Sequence, residues 1–269
     1  MPMPERRIAA WVCAVALTAA AATACAGEPG TPHPDSATPA TPATPPPPSG
    51  PITLSGWKLT LPTAGKKGGA AAIDPAAATP PWLVADAAGG VTLWAPVAGS
   101  TTAHSSHTRT ELDSHTSFQA GVGRHVLTAT VAVTQLPREK PDVIVGQIHG
   151  ADVLSSIPFV MLHDQGGAIM VVVKQNRAGP EGAQYPLLAN VPLGVPFRFT
   201  ISDNGDGGLT FTATVGGKTV TANAPIPAAF ANAPVRFQAG DYQQADSKSG
   251  GAAPGDGARV TFHELTTDS

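Results

Sequence analysis

The sequence predicts an all-β domain of sandwich or jelly-roll type, and three observations carry the prediction. From residue 51 onward, short stretches of alternating apolar and polar residues recur at the roughly 8–12-residue spacing of strands in such folds. Glycine-rich turn signals stand between them, notably Asp203-Asn-Gly-Asp-Gly-Gly208 and Gly216-Gly217, which supply the positive-φ residues that hairpins demand. No stretch keeps a long helical period, and there is no internal repeat.

Taken in order, the chain opens with a targeting pattern. Arg6 and Arg7 precede a run of apolar and small residues from Ile8 to Ala24, shorter than the roughly 20 residues a membrane helix needs. The run ends Ala22-Thr23-Ala24-Cys25, which resembles a bacterial lipoprotein box, so residues 1–25 read as a signal peptide with Cys25 as its acylation site. Cleavage by signal peptidase after Ala24 or Ala26 is the alternative. Either way the expected location is outside the cell, as a secreted protein or a bacterial cell-surface lipoprotein that meets the membrane only through its anchor. Residues 26–50 hold nine prolines among Thr, Ala, Ser and Gly. They cannot pack a core and read as an extended linker, reaching about 75 Å at ~3.1 Å per residue. Cys13 and Cys25 are the only cysteines, so the domain expected over 51–269 has neither a disulfide nor a thiolate metal site.

Strands are then expected over Gly56–Pro62, Gly90–Ala95, Arg109–Asp113, His125–Gln135, Val143–His149, Pro158–His163 and Ala168–Lys174, with residues 64–81 a loop rich in Ala, Gly and Pro. Pro196–Ser202, Leu209–Val215, Lys218–Ala222, Val235–Gln244 and Arg259–Leu265 complete the set. The formal charge is −3, and two of the 16 basic and three of the 19 acidic residues precede residue 51, leaving the domain at −2. No basic field is available for nucleic acid, and a polyanion must be met by a few placed cations.

Three strands carry polar residues at period two, which places them on one face. In Gln147-Ile-His149 the amide and imidazole share a face while Ile148 points inward. Arg109-Thr-Glu111-Leu-Asp113 and Arg236-Phe-Gln238-Ala-Gly-Asp-Tyr242-Gln-Gln244 repeat the pattern, and three such rows side by side would line a polar groove. Each row also has a plain structural reading: a self-paired surface arginine, a histidine satisfied at the core edge, a packing tyrosine. Glu111 and Asp113 together fit a glycoside hydrolase, although the strand offers no third carboxylate. A carbohydrate-binding module would want a row of aromatics, yet aromatics make up only 5% of the chain. His104, His107, His115 and His163 show no metal-ligand spacing, and neither a metal nor a cofactor is expected.

Trp57-Lys-Leu-Thr-Leu-Pro62, Arg109-Thr-Glu-Leu112, Gln147-Ile-His149 and Phe237-x-Ala-Gly-x-Tyr242-x-Gln244, in that order, resemble polysaccharide lyase family 7, the alginate lyases, over residues 51–269. The resemblance implies a β-jelly roll whose concave sheet binds alginate or a related polyuronate as a monomer. It implies endo-cleavage by β-elimination, with Arg109, Gln147, His149 and Tyr242 at the catalytic positions. Arg109 and Gln147 would hold the substrate carboxylate by charge and amide donation, His149 would serve as base or share the carboxylate, and Tyr242 would protonate the leaving oxygen. Glu111, Lys174, Arg236, Gln238 and Gln244 are the expected substrate-binding residues. The chain departs from the family pattern where Asp113 replaces a second Arg, Arg236 a Tyr, Gln238 a Lys and Gln243 an Asn, which changes the cations of the groove. The Gln-Ile-His centre leans toward guluronate-containing substrates within the family.

Overall fold

The computed structural model describes residues 50–66, 68–246 and 253–268. The signal peptide expected over 1–25 and all of the 26–50 linker but Gly50 lie outside the described residues.

Fifteen strands form two sheets among the described residues. They are β1 (Trp57–Ala64), β2 (Ala70–Ile73), β3 (Leu83–Ala85), β4 (Val91–Pro96), β5 (Arg109–Gln119), β6 (His125–Gln135), β7 (Asp142–Gly150) and β8 (Pro158–Gln165). After them come β9 (Ala168–Lys174), β10 (Gly182–Leu188), β11 (Phe197–Asp203), β12 (Gly208–Val215), β13 (Lys218–Pro225), β14 (Pro234–Gln243) and β15 (Gly257–Asp268). One sheet runs β10-β9-β8-β7-β14-β5-β1-β2 and the other β13-β12-β11-β6-β15-β4-β3, with antiparallel pairing throughout. This is the jelly-roll sandwich that the strand spacing and turn signals predict. The helical content of the described residues is two short 3₁₀ turns, Pro75–Ala77 and Asp152–Leu154.

The core lies between the sheets. Phe159, Phe197, Phe199, Phe211, Phe230 and Phe262 are almost completely buried there, and Phe159 stacks on Phe230 with ring centroids 4.4 Å apart. Burying aromatic rings of this size is a main source of stability for a sandwich. Strands β9 and β12 alternate buried and half-buried positions, as expected where one face meets the core. The Gly216-Gly217 turn joins β12 to β13 with both glycines at positive φ.

Three strands escape a pattern reading. Segment β2 falls inside the expected 64–81 loop, because Ala-Ala-Ala-Ile has little strand propensity of its own. Pairing with β1 (Leu59 opposite Ile73) makes it an edge strand. β10 contains Pro186, which an edge strand tolerates because one side of its backbone needs no partner. β3 is only three residues long.

β7 departs from simple alternation, since all nine of its residues are buried. The register against β14 passes from Ala239–Gly146 to Tyr242–Ile144, and against β8 from Ile144–His163 to Gly146–Leu162. These irregularities let Val145 join the core although it stands two residues before the cleft-facing Gln147. Ile148 is fully buried in the core, as the alternation predicts.

Candidate active site

Strand order brings the three polar rows together. β14 lies between β7 and β5, and β1 flanks β5, so Gln147, Gln238, Asp113 and Lys58 stand opposite one another across four strands. Their side chains floor a cleft of about 580 Å³ on the outer face of the larger sheet. Arg109, Glu111, His149, Arg236, Tyr242 and Gln244 line the same cleft. Lys174 does not line it: its ammonium donates to the Gly179 carbonyl at the end of β9.

The floor is one hydrogen-bonded chain. Arg109 Nη1 donates to Glu111 Oε2 at 2.9 Å, and Gln147 Nε2 donates to Glu111 Oε1 at 2.6 Å and to Gln238 Oε1 at 3.0 Å. Gln238 Nε2 in turn donates to Asp113 Oδ1. Thr60 Oγ1 and Lys58 Nζ each lie 3.2 Å from Asp113 Oδ2, and Arg236 Nε lies 3.3 Å from Asp113 Oδ1. That last approach lacks hydrogen-bond geometry, so it is a contact of charge.

The chain fixes the orientation of both amides, because only an amide nitrogen can donate to a carboxylate. Gln147 therefore directs both amide hydrogens at protein acceptors, and its Oε1 is buried without a partner. The family resemblance implies an amide donating outward to a substrate carboxylate. In the structure Glu111, a stronger acceptor than any neutral group nearby, draws it inward.

Gly240 makes that reach possible. It stands opposite Glu111, and a Cβ there would lie 2.6 Å from Glu111 Cα and 2.7 Å from the Thr110 carbonyl oxygen. Only glycine lets β14 approach β5 this closely while leaving the surface open for Gln147 to cross.

The two floor carboxylates have opposite electrostatics. Burial raises the pKa of Glu111, with Arg109 opposing the rise. Burial also works to raise Asp113, but Lys58 and Arg236 outweigh it and hold the pKa below its ordinary value. Asp113 is thus an ionised group whose oxygens already face four donors or cations. A hydrolase needs a free nucleophile or base, and neither Asp113 nor the 1%-exposed Glu111 presents one.

At the other end of the cleft, the Arg109 guanidinium stacks on Tyr242, with Cζ 3.5 Å from the ring centroid. The Tyr242 hydroxyl lies 2.9 Å from Ser105 Oγ. Ser105 gives its only proton to the His107 carbonyl and accepts from the His107 N–H, so in this bond Tyr242 is the donor. Gln244 closes this end, its amide donating to the Tyr242 carbonyl at 3.0 Å.

His149 sits beside Arg236 on the neighbouring strand, with Nδ1 3.2 Å from the Gly150 carbonyl. A carbonyl only accepts, so Nδ1 carries the proton and the neutral ring keeps its lone pair on Nε2. Burial is the main reason its pKa falls to about 4, and Arg109 and Arg236 add to the fall. The ring is therefore neutral at pH 7.

Sequence reasoning missed Lys58, Thr60 and Ser105 as cleft residues. The first two had a signal, since they occupy the polar face of the alternating Trp57–Pro62 stretch. Ser105 lies in an irregular loop with no periodicity to mark it. Of the histidines that could suggest a metal, His104 lines the cleft, His107 holds the Ala245 carbonyl, His115 is exposed and His163 pairs with Asp142. Among the described residues no group of three or more His, Cys, Asp or Glu could hold a metal ion.

The open face of this jelly-roll sheet brings an arginine, a neutral histidine and a tyrosine hydroxyl into one cleft, and family membership makes the protein a polysaccharide lyase. The chain belongs to the alginate lyase family: the family model described as alginate lyase matches residues 52–269. Among solved structures it is similar to an alginate lyase from Pseudomonas aeruginosa, at 27% identity and a TM-score of 0.69 over 81% of this chain and 99% of that one. It is also similar to alginate lyase A1-II′, a member of polysaccharide lyase family 7, at 28% identity and a TM-score of 0.66 over 80% and 95%. An alginate lyase from Klebsiella pneumoniae shares the fold at 20% identity and a TM-score of 0.68 over 81% and 96%. A search of curated protein sequences finds no match.

Proposed function

We propose that this enzyme cleaves alginate within the polymer by β-elimination, using Arg109, His149 and Tyr242. The observation that carries the reading is the pair of opposite proton preferences in one cleft: His149 offers a lone pair at Nε2 and Tyr242 offers an O–H. Arg109 meets the uronate carboxylate and lowers the cost of charge developing on the carbon beside it. His149 takes the proton from that carbon, a C=C bond forms, and the glycosidic C–O bond breaks. Tyr242 protonates the departing oxygen, and no water is consumed. Gln147 works through Glu111, which it holds in place to orient Arg109. Alginate lyase A1-II′ is known in complex with a substrate, GGMG, and a product, GGG, which supports a guluronate-containing substrate here.

The test is ultraviolet absorbance of the unsaturated uronate during digestion of alginate, alongside other polyuronates. Only a lyase makes that double bond, and reducing sugar released without it would point to hydrolysis. Shortening of the polymer faster than small products appear identifies endo-action.

The neutral state of His149 has a pH consequence. A base must be unprotonated, and this one becomes protonated only near pH 4. The acid limb of kcat/KM, which reports the free enzyme, is expected to fall near that pH. Half-loss near 6.5 would show an imidazole titrating as in water.

We also propose that the enzyme is exported and tethered through Cys25, working as a monomer outside the cell. The lipobox-like Ala22-Thr23-Ala24-Cys25 supports the anchor. Labelled palmitate is expected to enter the wild-type protein, and Cys25→Ser to release it to the medium. Unchanged release and no label would leave export without an anchor. Light scattering of the domain checks the monomer.

A further inference from the structure

The cleft holds more cationic structure than the proton transfers need. Lys58 and Arg236 come from strands far apart in sequence, yet both converge on the oxygens of Asp113. One carboxylate facing two cations leaves a net positive charge. Lys58 is 43% exposed at its side chain, and Arg236 spends only Nε on Asp113. No other protein acceptor engages Arg236 among the described residues, so its two terminal nitrogens remain for a second anion.

The position is separate from Arg109. Asp113 lies four residues further along β5, a backbone separation of about 13 Å at ~3.3 Å per residue, and the two cation sets have different partners: Arg109 is taken up by Glu111, Lys58 and Arg236 by Asp113. A uronate polymer carries one carboxylate per sugar, so a chain lying along the floor presents further carboxylates to cations beyond Arg109.

We propose that Lys58 and Arg236, bridged by Asp113, form a second carboxylate-binding subsite that holds a uronate further along the chain from the one at Arg109. The proposal rests on reading the cleft as a polyuronate site. Asp113 is the positioning residue: it keeps two long, flexible cations on the floor without a substrate and lowers the ordering cost of binding. Gln238 ties it to Gln147, so this subsite and the catalytic end share one rigid floor. A groove built on strands in this way can place cations more accurately than one built on loops.

The experiment measures binding, so it does not depend on which bond the enzyme breaks. In the full chain carrying Tyr242→Phe to stop turnover, affinity for an oligouronate is compared with affinity for its methyl ester by calorimetry. Lys58→Gln and Arg236→Gln, each added to that background, are expected to weaken free-acid binding about tenfold, the usual scale of a lost charge-assisted contact. Neither is expected to change binding of the ester. Affinities equal to the parent's for the free acid would overturn the subsite, and so would equal losses for acid and ester. Lys58 is exposed enough that Lys58→Gln keeps the test decisive even if Arg236→Gln unfolds. Should wild type make no unsaturated product, the lyase reading falls while the binding comparison still decides the subsite.

Discussion

Tyr242→Phe is expected to lower turnover by about 10²–10⁴, the usual worth of one general acid or base, while leaving the fold almost untouched. The ring stays, and with it the stack beneath Arg109. What is lost is one hydrogen bond to Ser105, worth about 1 kcal/mol. Turnover and melting temperature measured on the same preparation separate the two effects. Glu111→Gln should cost far less turnover, because Glu111 is buried and acts by holding Arg109. The reverse result, with Tyr242→Phe active and Glu111→Gln dead, would replace elimination by a carboxylate mechanism.

Arg109→Ala should damage both activity and stability. Loss of the group that faces the substrate carboxylate is expected to cost about 10²–10³ in kcat, the scale of one electrostatic contact at a reacting centre. Because the contact is buried, added salt should change that loss little. Stability should fall by about 3–5 kcal/mol at neutral pH, since Glu111 is left buried without its counter-charge. The sign of the pH dependence follows from Glu111. Its pKa is raised in the folded wild type, and removing Arg109 raises it further. The folded variant then binds a proton more tightly than the unfolded chain, so its stability deficit should narrow as pH falls and widen as pH rises. Denaturant midpoints at acid and neutral pH check this, and a deficit independent of pH would mean that Arg109 does not hold Glu111 ionised.

Much of this site is legible in the sequence because strand geometry is simple. Period two places Gln147 with His149, and Arg109 with Glu111 and Asp113, on single faces, and the structure brings those faces into one cleft. The same rule fails at Val145, where register irregularities turn a residue toward the core that strict alternation would have placed beside Gln147. Neighbour choice was not legible: that β14 sits between β5 and β7 depends on pairings over a hundred residues apart in places. The cluster around Asp113, and the inward turn of the Gln147 amide, follow from that order. Lys174 shares the periodicity of its strand, but β8 separates β9 from β7, and its ammonium donates to the Gly179 carbonyl instead.

The insertion of β14 between β5 and β7 also sets when the enzyme can come into being. As the chain emerges in order, β5 and β7 are available long before β14, yet each lacks the neighbour that completes its ladder. The arginine on β5 and the histidine on β7 are joined into one site only by the later segment that carries the tyrosine. Contacts so distant in sequence form slowly. Placing β14 therefore both completes the ladder of the larger sheet and completes the cleft, because Tyr242 comes with it.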